Sequence, residues 1–220
     1  MLFKKKQINY SKITKYDRDK ANKRDNYTLL NKKYAISNQT VLLGDSITDF
    51  FNWYELFYDW SKKSGQAVYN RGISGDTTDR LFERLEDNVL NINPKNLVLL
   101  IGTNDIGRGL PLEFSLNNMD SILKLVREKC PETNIILQAV YPINSNMRDK
   151  YEKRSNSKID AMNKEFVKLS KKYGCHWLDL TNELSDKDGN LNESLSVDGL
   201  HINVKAYEII TNRIIPLLKE

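Results

Sequence analysis

Short apolar runs alternate with longer segments of helical periodicity along most of the chain. The runs predict five buried strands, at residues 40–43, 67–70, 96–101, 134–140 and 175–178. A helix is predicted after each run, at residues 50–63, 77–90, 112–129, 150–173 and 203–218. Because nearly continuous apolar strands alternate with helices, the pattern predicts an α/β fold, a three-layer α/β/α sandwich around a central five-stranded parallel sheet.

Two of the predicted helices carry informative side-chain patterns. The helix at 77–90 is expected to bury one face, which consists of Leu81, Phe82, Leu85 and Val89. The helix at 50–63 begins with seven aromatic residues in eleven positions: Phe50, Phe51, Trp53, Tyr54, Phe57, Tyr58 and Trp60. One helix face cannot bury all of them, so this segment predicts a partner surface. Core packing is favoured for the aromatic residues as a group, and lining of a pocket is an alternative. For the surplus, the partner is the N-terminal arm or a second subunit in a homodimer.

Basic residues are concentrated at the N-terminus. Residues 1–33 hold 11 Lys/Arg and 3 Asp/Glu, and the rest of the chain holds 23 and 26. The net charge of +5 therefore describes a basic arm on a mildly acidic body. We interpret residues 1–38 as a helical extension, with one or two amphipathic helices within 8–34, packed on a domain at 39–220. The alternative is an arm that binds anionic lipid or nucleic acid; no nucleic-acid partner is predicted.

Composition bears on the location of the protein and on its need for disulfides or cofactors. No apolar run approaches the ~20 residues that span a bilayer, so stable membrane insertion is not expected. The Lys4-Lys5-Lys6 run has no apolar segment behind it, so no secretory signal is predicted and a cytoplasmic location is expected. Cys130 and Cys175 are too few for a disulfide framework and are interpreted as reduced and buried. No metal-ligand spacing occurs, and neither a metal nor a cofactor is predicted.

Four polar motifs are predicted to meet at one edge of the sheet. Gly44-Asp45-Ser46 follows the first strand, Asn70 to Gly75 the second, and Gly102-Thr103-Asn104 the third. Asp198-Gly199-Leu200-His201 lies beyond the fifth strand. In open parallel sheets the ligand crevice lies outside the carboxyl ends of the strands. The motifs therefore predict one site.

The residue types at this edge are those of acyl transfer. Ser46 is the candidate nucleophile, His201 its base, and Asp198 the acid that orients the histidine. The alternatives are an N-cap serine for the next helix, a helix-entry histidine and a turn-forming aspartate. The other histidine, His176, lies inside an apolar strand and is interpreted as structural.

Gly75 and Asn104 are candidate oxyanion donors. A glycine amide can approach a ligand closely, and an asparagine side chain can donate to developing negative charge. The alternatives are a plain turn glycine and a loop-capping asparagine. Taken singly these alternatives are favoured, so the oxyanion assignment depends on the other motifs.

The four motifs together resemble the SGNH hydrolases, also called GDSL-type lipases/esterases, over residues 39–220. The matching blocks are Val41 to Thr48, Asn70 to Thr78, Ile101 to Ile106, and Asp198 to His201, in family order. Ile47 replaces the leucine of the GDSL name, and residues 1–38 have no family counterpart. The blocks are most similar to the branch of platelet-activating-factor acetylhydrolase catalytic subunits and bacterial relatives.

The resemblance implies a flavodoxin-like sheet and specific residue roles. Ser46 would be the nucleophile, His201 the base and Asp198 its orienter, while the Ser46 amide, the Gly75 amide and the Asn104 side chain would form the oxyanion hole. A serine esterase acting on short-chain acetyl esters of sugars or glycerolipid-like alcohols is the first expectation. The alternatives are a lysophospholipase or thioesterase for longer acyl chains, and a non-catalytic flavodoxin-like binding module.

Overall fold

The computed structural model of the protein describes residues 14–50, 53–147 and 153–219. Its five strands are β1 (Thr40–Gly44), β2 (Val68–Gly72), β3 (Asn96–Leu100), β4 (Asn134–Gln138) and β5 (His176–Leu178). They form one sheet in the order β2-β1-β3-β4-β5, and every neighbouring pair is parallel. The predicted α/β class and five-stranded parallel sheet are confirmed.

Ten α-helices occur within the described residues. They are α1 (Lys15–Lys33), α2 (Ser46–Asp49), α3 (Trp53–Leu56), α4 (Tyr58–Ser64), α5 (Thr78–Asn88), α6 (Thr103–Arg108), α7 (Leu112–Lys129), α8 (Asn156–Lys172), α9 (Thr181–Leu184) and α10 (Val204–Ile214). None of the helices in this part of the chain is both long and apolar enough to cross a membrane.

Each face of the sheet has its own hydrophobic core, because successive side chains of a strand point to opposite faces. On β1, Val41 and Leu43 pack with apolar residues of α5, α7 and α8. Leu42, between them, packs with residues of α3, α4 and α10 on the other face. Helices therefore cover both faces and the carboxyl edge of the sheet stays open for the polar motifs.

Helix α1 packs against α5 and reaches the second strand through polar contacts. The Tyr27 hydroxyl donates to the carbonyl of Gly72 at 3.0 Å. The Asn31 side chain accepts from the guanidinium of the buried Arg71 at 2.7 Å. The Asn88 amide of α5 donates back to the Thr28 hydroxyl at 2.9 Å. The boundary at residue 38 between an extension and the main domain stays a prediction, and residues 8–13 of the predicted amphipathic segment lie outside the described residues.

The predicted aromatic helix at 50–63 is wrong as one element. The chain instead forms α3 and α4, separated at Phe57, and α4 ends at Ser64, followed by the C-cap Gly65 with a φ of +70°. The break lets Trp53, Phe57 and Trp60 be buried together. Phe50, Tyr54 and Tyr58 remain exposed, so part of the predicted aromatic surplus does lie at the surface; Phe51 lies outside the described residues.

Other element predictions were accurate in position but less so at their ends. Helix α7 spans the predicted 112–129, whereas α8 begins at residue 156, after the Ser155 N-cap, and not at 150. Helix α10 ends at Ile214, and a 3₁₀ turn containing Pro216 follows, because proline lacks the amide that would continue the helix. Phe82 on α5 is more than one third exposed, so its predicted place on the buried face was wrong.

The two cysteines differ in burial. Both are free thiols; Cys130 is buried, but Cys175 is only half-buried, so its predicted burial was wrong. Even so, partial burial raises the pKa of the Cys175 thiol to about 11.

Candidate active site

Ser46 is the first residue of α2, directly after the carboxyl end of β1. Asp45 is the N-cap, and its Oδ1 accepts from the amide of Ile47 at 3.1 Å. The N-cap role considered for Ser46 therefore belongs to its neighbour, and the serine side chain is left for another purpose. Ser46 is 7% exposed, so its hydroxyl lies at the base of the crevice at the carboxyl edge.

A glycine is required at position 44, the last residue of β1 and two residues before Ser46. A Cβ at this position would lie 2.3 Å from the carbonyl oxygen of Leu100 and 2.4 Å from the Thr48 hydroxyl. The close approach of β1, β3 and α2 fixes the angle at which the chain leaves the strand. A larger residue at position 44 would displace the start of α2, which carries Ser46.

His201 lies in the loop before α10, and a glycine with a left-handed backbone conformation shapes that loop. Gly199 has a φ of +85°, and its carbonyl accepts from the amide of Asn144 at 2.7 Å. The Ser196 hydroxyl donates to the His201 carbonyl at 3.0 Å and accepts from the Gly199 amide at 2.8 Å. These contacts anchor the histidine loop to the segment after β4.

The structure brings Ser46, His201 and Asp198 together as a continuous hydrogen-bonded chain. Ser46 Oγ lies 3.0 Å from His201 Nε2, and His201 Nδ1 lies 2.9 Å from Asp198 Oδ2. In this geometry a carboxylate at Nδ1 favours the tautomer that leaves Nε2 free to accept the serine proton.

Asp198 is held as a carboxylate. Partial burial raises its pKa, but this effect is outweighed by hydrogen bonds from the His201 amide and ring, by the histidine charge and by the Leu200 amide. The net effect lowers the pKa of Asp198 to about 2. Near neutral pH the acid is therefore negatively charged, as it must be to stabilise an imidazolium.

Gly75 occupies a tight turn after β2. The amide of Asp76 donates to the carbonyl of Ile73 at 3.1 Å, and Gly75 has a φ of +73°, a conformation that favours glycine. Ser74 fixes the turn from the other side, since its amide and hydroxyl both donate to Asp49 Oδ2, at 2.8 and 2.6 Å. Lys23 of α1 forms an ion pair with the same carboxylate.

Neither candidate backbone donor is engaged within the described part of the chain. The amides of Ser46 and Gly75 make no hydrogen bond to another described residue. Amides in the first turn of a helix have no hydrogen-bond acceptor within the helix, so a free donor is common there. Both groups can therefore donate to a ligand oxygen near Ser46.

Asn104 lies on the short helix α6, which the sequence pattern did not predict. Its Nδ2 donates to the carbonyl of Asp76 at 3.0 Å and approaches Asp45 Oδ2 at 3.4 Å. Its Oδ1 accepts from Arg154 Nη2 at 3.1 Å. The asparagine therefore links the serine motif with the glycine turn, and its contact with the Asp76 carbonyl is also what the loop-capping alternative predicts.

Three acids are buried behind the crevice. The pKa of Asp45 is raised to about 7. Burial is the main cause, and the charges of Asp76 and Asp105 act in the same direction, whereas the hydrogen bond from the Ile47 amide lowers the pKa. Burial also raises the pKa of Asp76, although Arg84 opposes the shift. Arg84 is 2% exposed and donates to Asp76 Oδ2 at 2.7 Å and to the Gly44 carbonyl at 3.1 Å. This buried pair joins the ends of β1 and β2.

An apolar wall stands beside the histidine. The rings of Phe50 and His201 are 5.2 Å apart between centroids, and Phe50 is 64% exposed. Val197, next to Asp198, is 66% exposed. Large apolar side chains with this exposure beside a polar crevice are suited to contact the apolar part of a ligand.

The remaining sequence-based candidate, His176, is not part of the site. It is the first residue of β5, at the edge of the sheet, whereas the site lies at the carboxyl ends of the strands, and its side chain is exposed although its neighbours in the sequence are apolar. Conversely, the roles of Asp45, Arg154 and Phe50 at the site were not predicted from the sequence. Arg154 lies in a charged run without pattern, and only the folded chain places it beside Asn104.

Comparison with known proteins gives the class of the molecule. The GDSL-like lipase/acylhydrolase family model matches residues 42–209, most of the chain. The chain therefore belongs to this family, which confirms the predicted resemblance, and it is an ester-bond hydrolase by class.

Individual relatives agree with this class. A Streptococcus pneumoniae protein described as a platelet activating factor superposes with a TM-score of 0.83 at 29% identity, covering 93% of this chain and 94% of that one. The Gallus gallus platelet-activating factor acetylhydrolase IB subunit alpha2 is 27% identical over 76% of this chain and 70% of its own length. An Escherichia coli N-acylneuraminate cytidylyltransferase is 27% identical over 81% of this chain, which spans only 40% of that relative.

Proposed function

We propose that the protein is a serine esterase that works through an acyl-enzyme. The observation that carries this proposal is the chain of contacts from Ser46 Oγ to His201 Nε2 and from His201 Nδ1 to the ionised Asp198. A hydroxyl is a weak nucleophile at neutral pH and needs such an adjacent base. The three residues have the roles of nucleophile, base and orienter.

The reaction proceeds in two steps. His201 accepts the Ser46 proton while Ser46 Oγ attacks the ester carbonyl, and the imidazolium is stabilised by Asp198 at 2.9 Å. The proton then passes from His201 to the leaving alcohol as the acyl-enzyme forms. Water, activated by His201, attacks the acyl-enzyme and releases the acid and the free serine.

The oxyanion of each tetrahedral intermediate is stabilised by three donors. We assign the amides of Ser46 and Gly75 and the side chain of Asn104 to this role. The Asn104 hydrogen that approaches Asp45 at 3.4 Å makes only a long contact, so this hydrogen is the one available to an oxyanion placed beside it. The other hydrogen, bound to the Asp76 carbonyl at 3.0 Å, keeps the amide in place.

Short acyl groups, above all acetyl, are the proposed acyl donors, with sugars or glycerolipid-like alcohols as the leaving group. The similarity to an acetylhydrolase supports the acetyl group, and the similarity to enzymes of N-acylneuraminate supports a sugar. Phe50 and Val197 beside His201 provide an apolar surface for the leaving group, since the histidine that protonates the alcohol must lie next to it.

A second candidate is a lysophospholipase or thioesterase for longer chains. A cavity of about 280 Å³ lies between α6, α7 and α8 and is lined mainly by apolar residues, among them Ile106, Leu110 and Met162. Helix α6 also carries Asn104, so an acyl chain leaving the crevice along this helix would meet the cavity.

The first test is hydrolysis of p-nitrophenyl esters from C2 to C12. Ser46→Ala should lower kcat/KM by ~10³-fold or more, because only the binding and oxyanion contributions remain. Ser121→Ala is a matched control, since this serine of α7 only donates to a backbone carbonyl. Retention of activity by Ser46→Ala would overturn the serine mechanism. A steep loss of rate beyond about C4 supports the acetylesterase, and an optimum at C8–C12 supports the lipid enzyme.

The cellular setting belongs to the proposal as well. We propose a cytoplasmic enzyme without a nucleic-acid partner. The exposed Tyr54 and Tyr58 are the proposed contact surface of a homodimer. Light scattering after gel filtration measures the subunit number. A monomer at micromolar concentration would rule out the dimer.

A further inference from the structure

An arginine stands behind the proposed oxyanion donor. The guanidinium of Arg154, just before α8, donates from Nη2 to Asn104 Oδ1 at 3.1 Å and from Nε to the carbonyl of Thr103 at 3.1 Å. One planar fork thus holds both the side chain of Asn104 and the backbone immediately before it. A lysine, with a single ammonium group, does not reproduce this geometry.

A glycine makes room for this guanidinium. A Cβ at Gly107 on α6 would lie 2.2 Å from Arg154 Cζ and 2.3 Å from its Nη2. Glycine within a helix costs ~1 kcal/mol relative to alanine, and α6 needs no unusual backbone angle at this position. The physical reason for a glycine at position 107 is therefore the space that the Arg154 guanidinium occupies.

The charge also acts on the amide electronically. A hydrogen bond from a cation to Oδ1 withdraws electron density from the amide and makes its N–H groups stronger donors. The positive charge reaches further into the site, because Arg154 lowers the pKa of Asp45, opposing the larger effect of burial.

We propose that Arg154 is a positioning residue for the oxyanion donor Asn104, and that Gly107 provides the space its guanidinium occupies. The proposal rests on the esterase function proposed above. Arg154 acts through Asn104 and not on the substrate, so its removal weakens stabilisation of the transition state and leaves ground-state binding largely unchanged.

The test is steady-state hydrolysis of p-nitrophenyl acetate by Arg154→Met, Gly107→Ala and Asn104→Ala, with Lys164→Met as a control for loss of one exposed charge on α8. Loss of a whole oxyanion donor costs ~10²–10³ in kcat. Arg154→Met is expected to lower kcat roughly 10-fold, because one donor is weakened and not removed, with KM changed less than about 2-fold. Lys164→Met should match wild type.

The double variants separate a positioning role from a structural one. In the Asn104→Ala background, Arg154→Met should cost less than about a further 2-fold, because its target is gone. Gly107→Ala should reproduce the loss of Arg154→Met while leaving the melting temperature unchanged or higher, since alanine favours the helix. Arg154→Lys should fall between wild type and Arg154→Met. It is also the variant to use if Arg154→Met does not fold.

Three results would overturn the proposal: an equal loss from Arg154→Met in both backgrounds, a rise in KM without loss of kcat, or wild-type kcat in Gly107→Ala. Ser46→Ala is measured in the same series. If Ser46→Ala is inactive and the arginine variant is normal, only this inference fails. If Ser46→Ala is active, the esterase proposal fails and the inference fails with it.

Discussion

Each carboxylate oxygen of Asp198 has a separate task. Oδ1 accepts from the amides of Leu200 and His201, at 3.1 and 2.8 Å, and so holds the loop in shape. Oδ2 faces His201 Nδ1. Loop geometry and proton transfer therefore depend on one side chain, and a substitution can separate the two.

Asp198→Asn should keep the loop and lose the catalysis. The amide oxygen can still accept from the two backbone amides, which places the NH₂ group against His201 Nδ1. That donor forces the tautomer with a proton on Nε2, so the histidine cannot accept the Ser46 proton. We expect kcat to fall ~10⁴-fold in an ester assay with little change in melting temperature. Asp188→Asn, at an exposed turn, should be silent; a loss of less than tenfold for Asp198→Asn would contradict the assignment.

At the level of elements, the active site depends on how closely β2 approaches α2. A Cβ at Gly72 would lie 2.4 Å from the amide nitrogen of Asp49 and 2.8 Å from the carbonyl carbon of Thr48. These are backbone atoms that no rotamer change can move. The helix that begins at Ser46 is therefore seated directly on the end of the second strand.

Gly72→Ala should push α2 away from the strand. Overpacking of this kind costs about 1–3 kcal/mol, and here the displaced element carries the proposed nucleophile. We expect a lower melting temperature together with a lower kcat. In Gly189→Ala, an added Cβ meets nothing within 4 Å but the φ of +78° is strained. That control should lose stability alone. A Gly72→Ala enzyme with normal kcat would show that the close contact between β2 and α2 is not needed for catalysis.

Elements with a strong local signal were predictable, and elements set by packing were not. The five strands are short apolar runs, and α7 combines an apolar stripe with a stop at Cys130-Pro131, so both could be placed from the sequence. The break between α3 and α4 depends on how Trp53 and Phe57 pack against α10, which no local pattern encodes. The motif residues Ser46 and His201 were found because their types are distinctive, whereas Arg154 is one of many surface-type cations.

For the molecule as a whole, buried acids set how stability depends on pH. The pKa of Asp45 in the folded state is about 7, above the ordinary value of 3.8. Its contribution to stability is therefore fully present below about pH 4 and is lost as the pH rises through about 7. The pKa of Asp76 and of Asp105 is raised by burial in the same direction. Asp198 acts oppositely, and its contribution is lost only as the pH falls from about 4 through about 2.

The melting temperature should therefore fall between about pH 4 and pH 7, and Asp45→Asn should flatten this fall. The comparison reports Asp45 together with its charge coupling to Asp76 and Asp105, because titrations elsewhere in the chain occur in both proteins. Each tenfold change in proton affinity corresponds to about 1.4 kcal/mol, so the difference between the curves should amount to roughly 2–4 kcal/mol. Calorimetry at several pH values measures it. Parallel curves for the two proteins would mean that Asp45 does not titrate in this range.

The contact between Gly107 and the Arg154 guanidinium also constrains how this sequence can diverge. A side chain at position 107 would occupy the present space of the guanidinium, so it fits only if the Arg154 side chain moves away from Asn104. The two positions should therefore change together in descendants of this chain. A lineage that acquires alanine at 107 should first, or soon after, lose its arginine at 154 and hold its asparagine by other means.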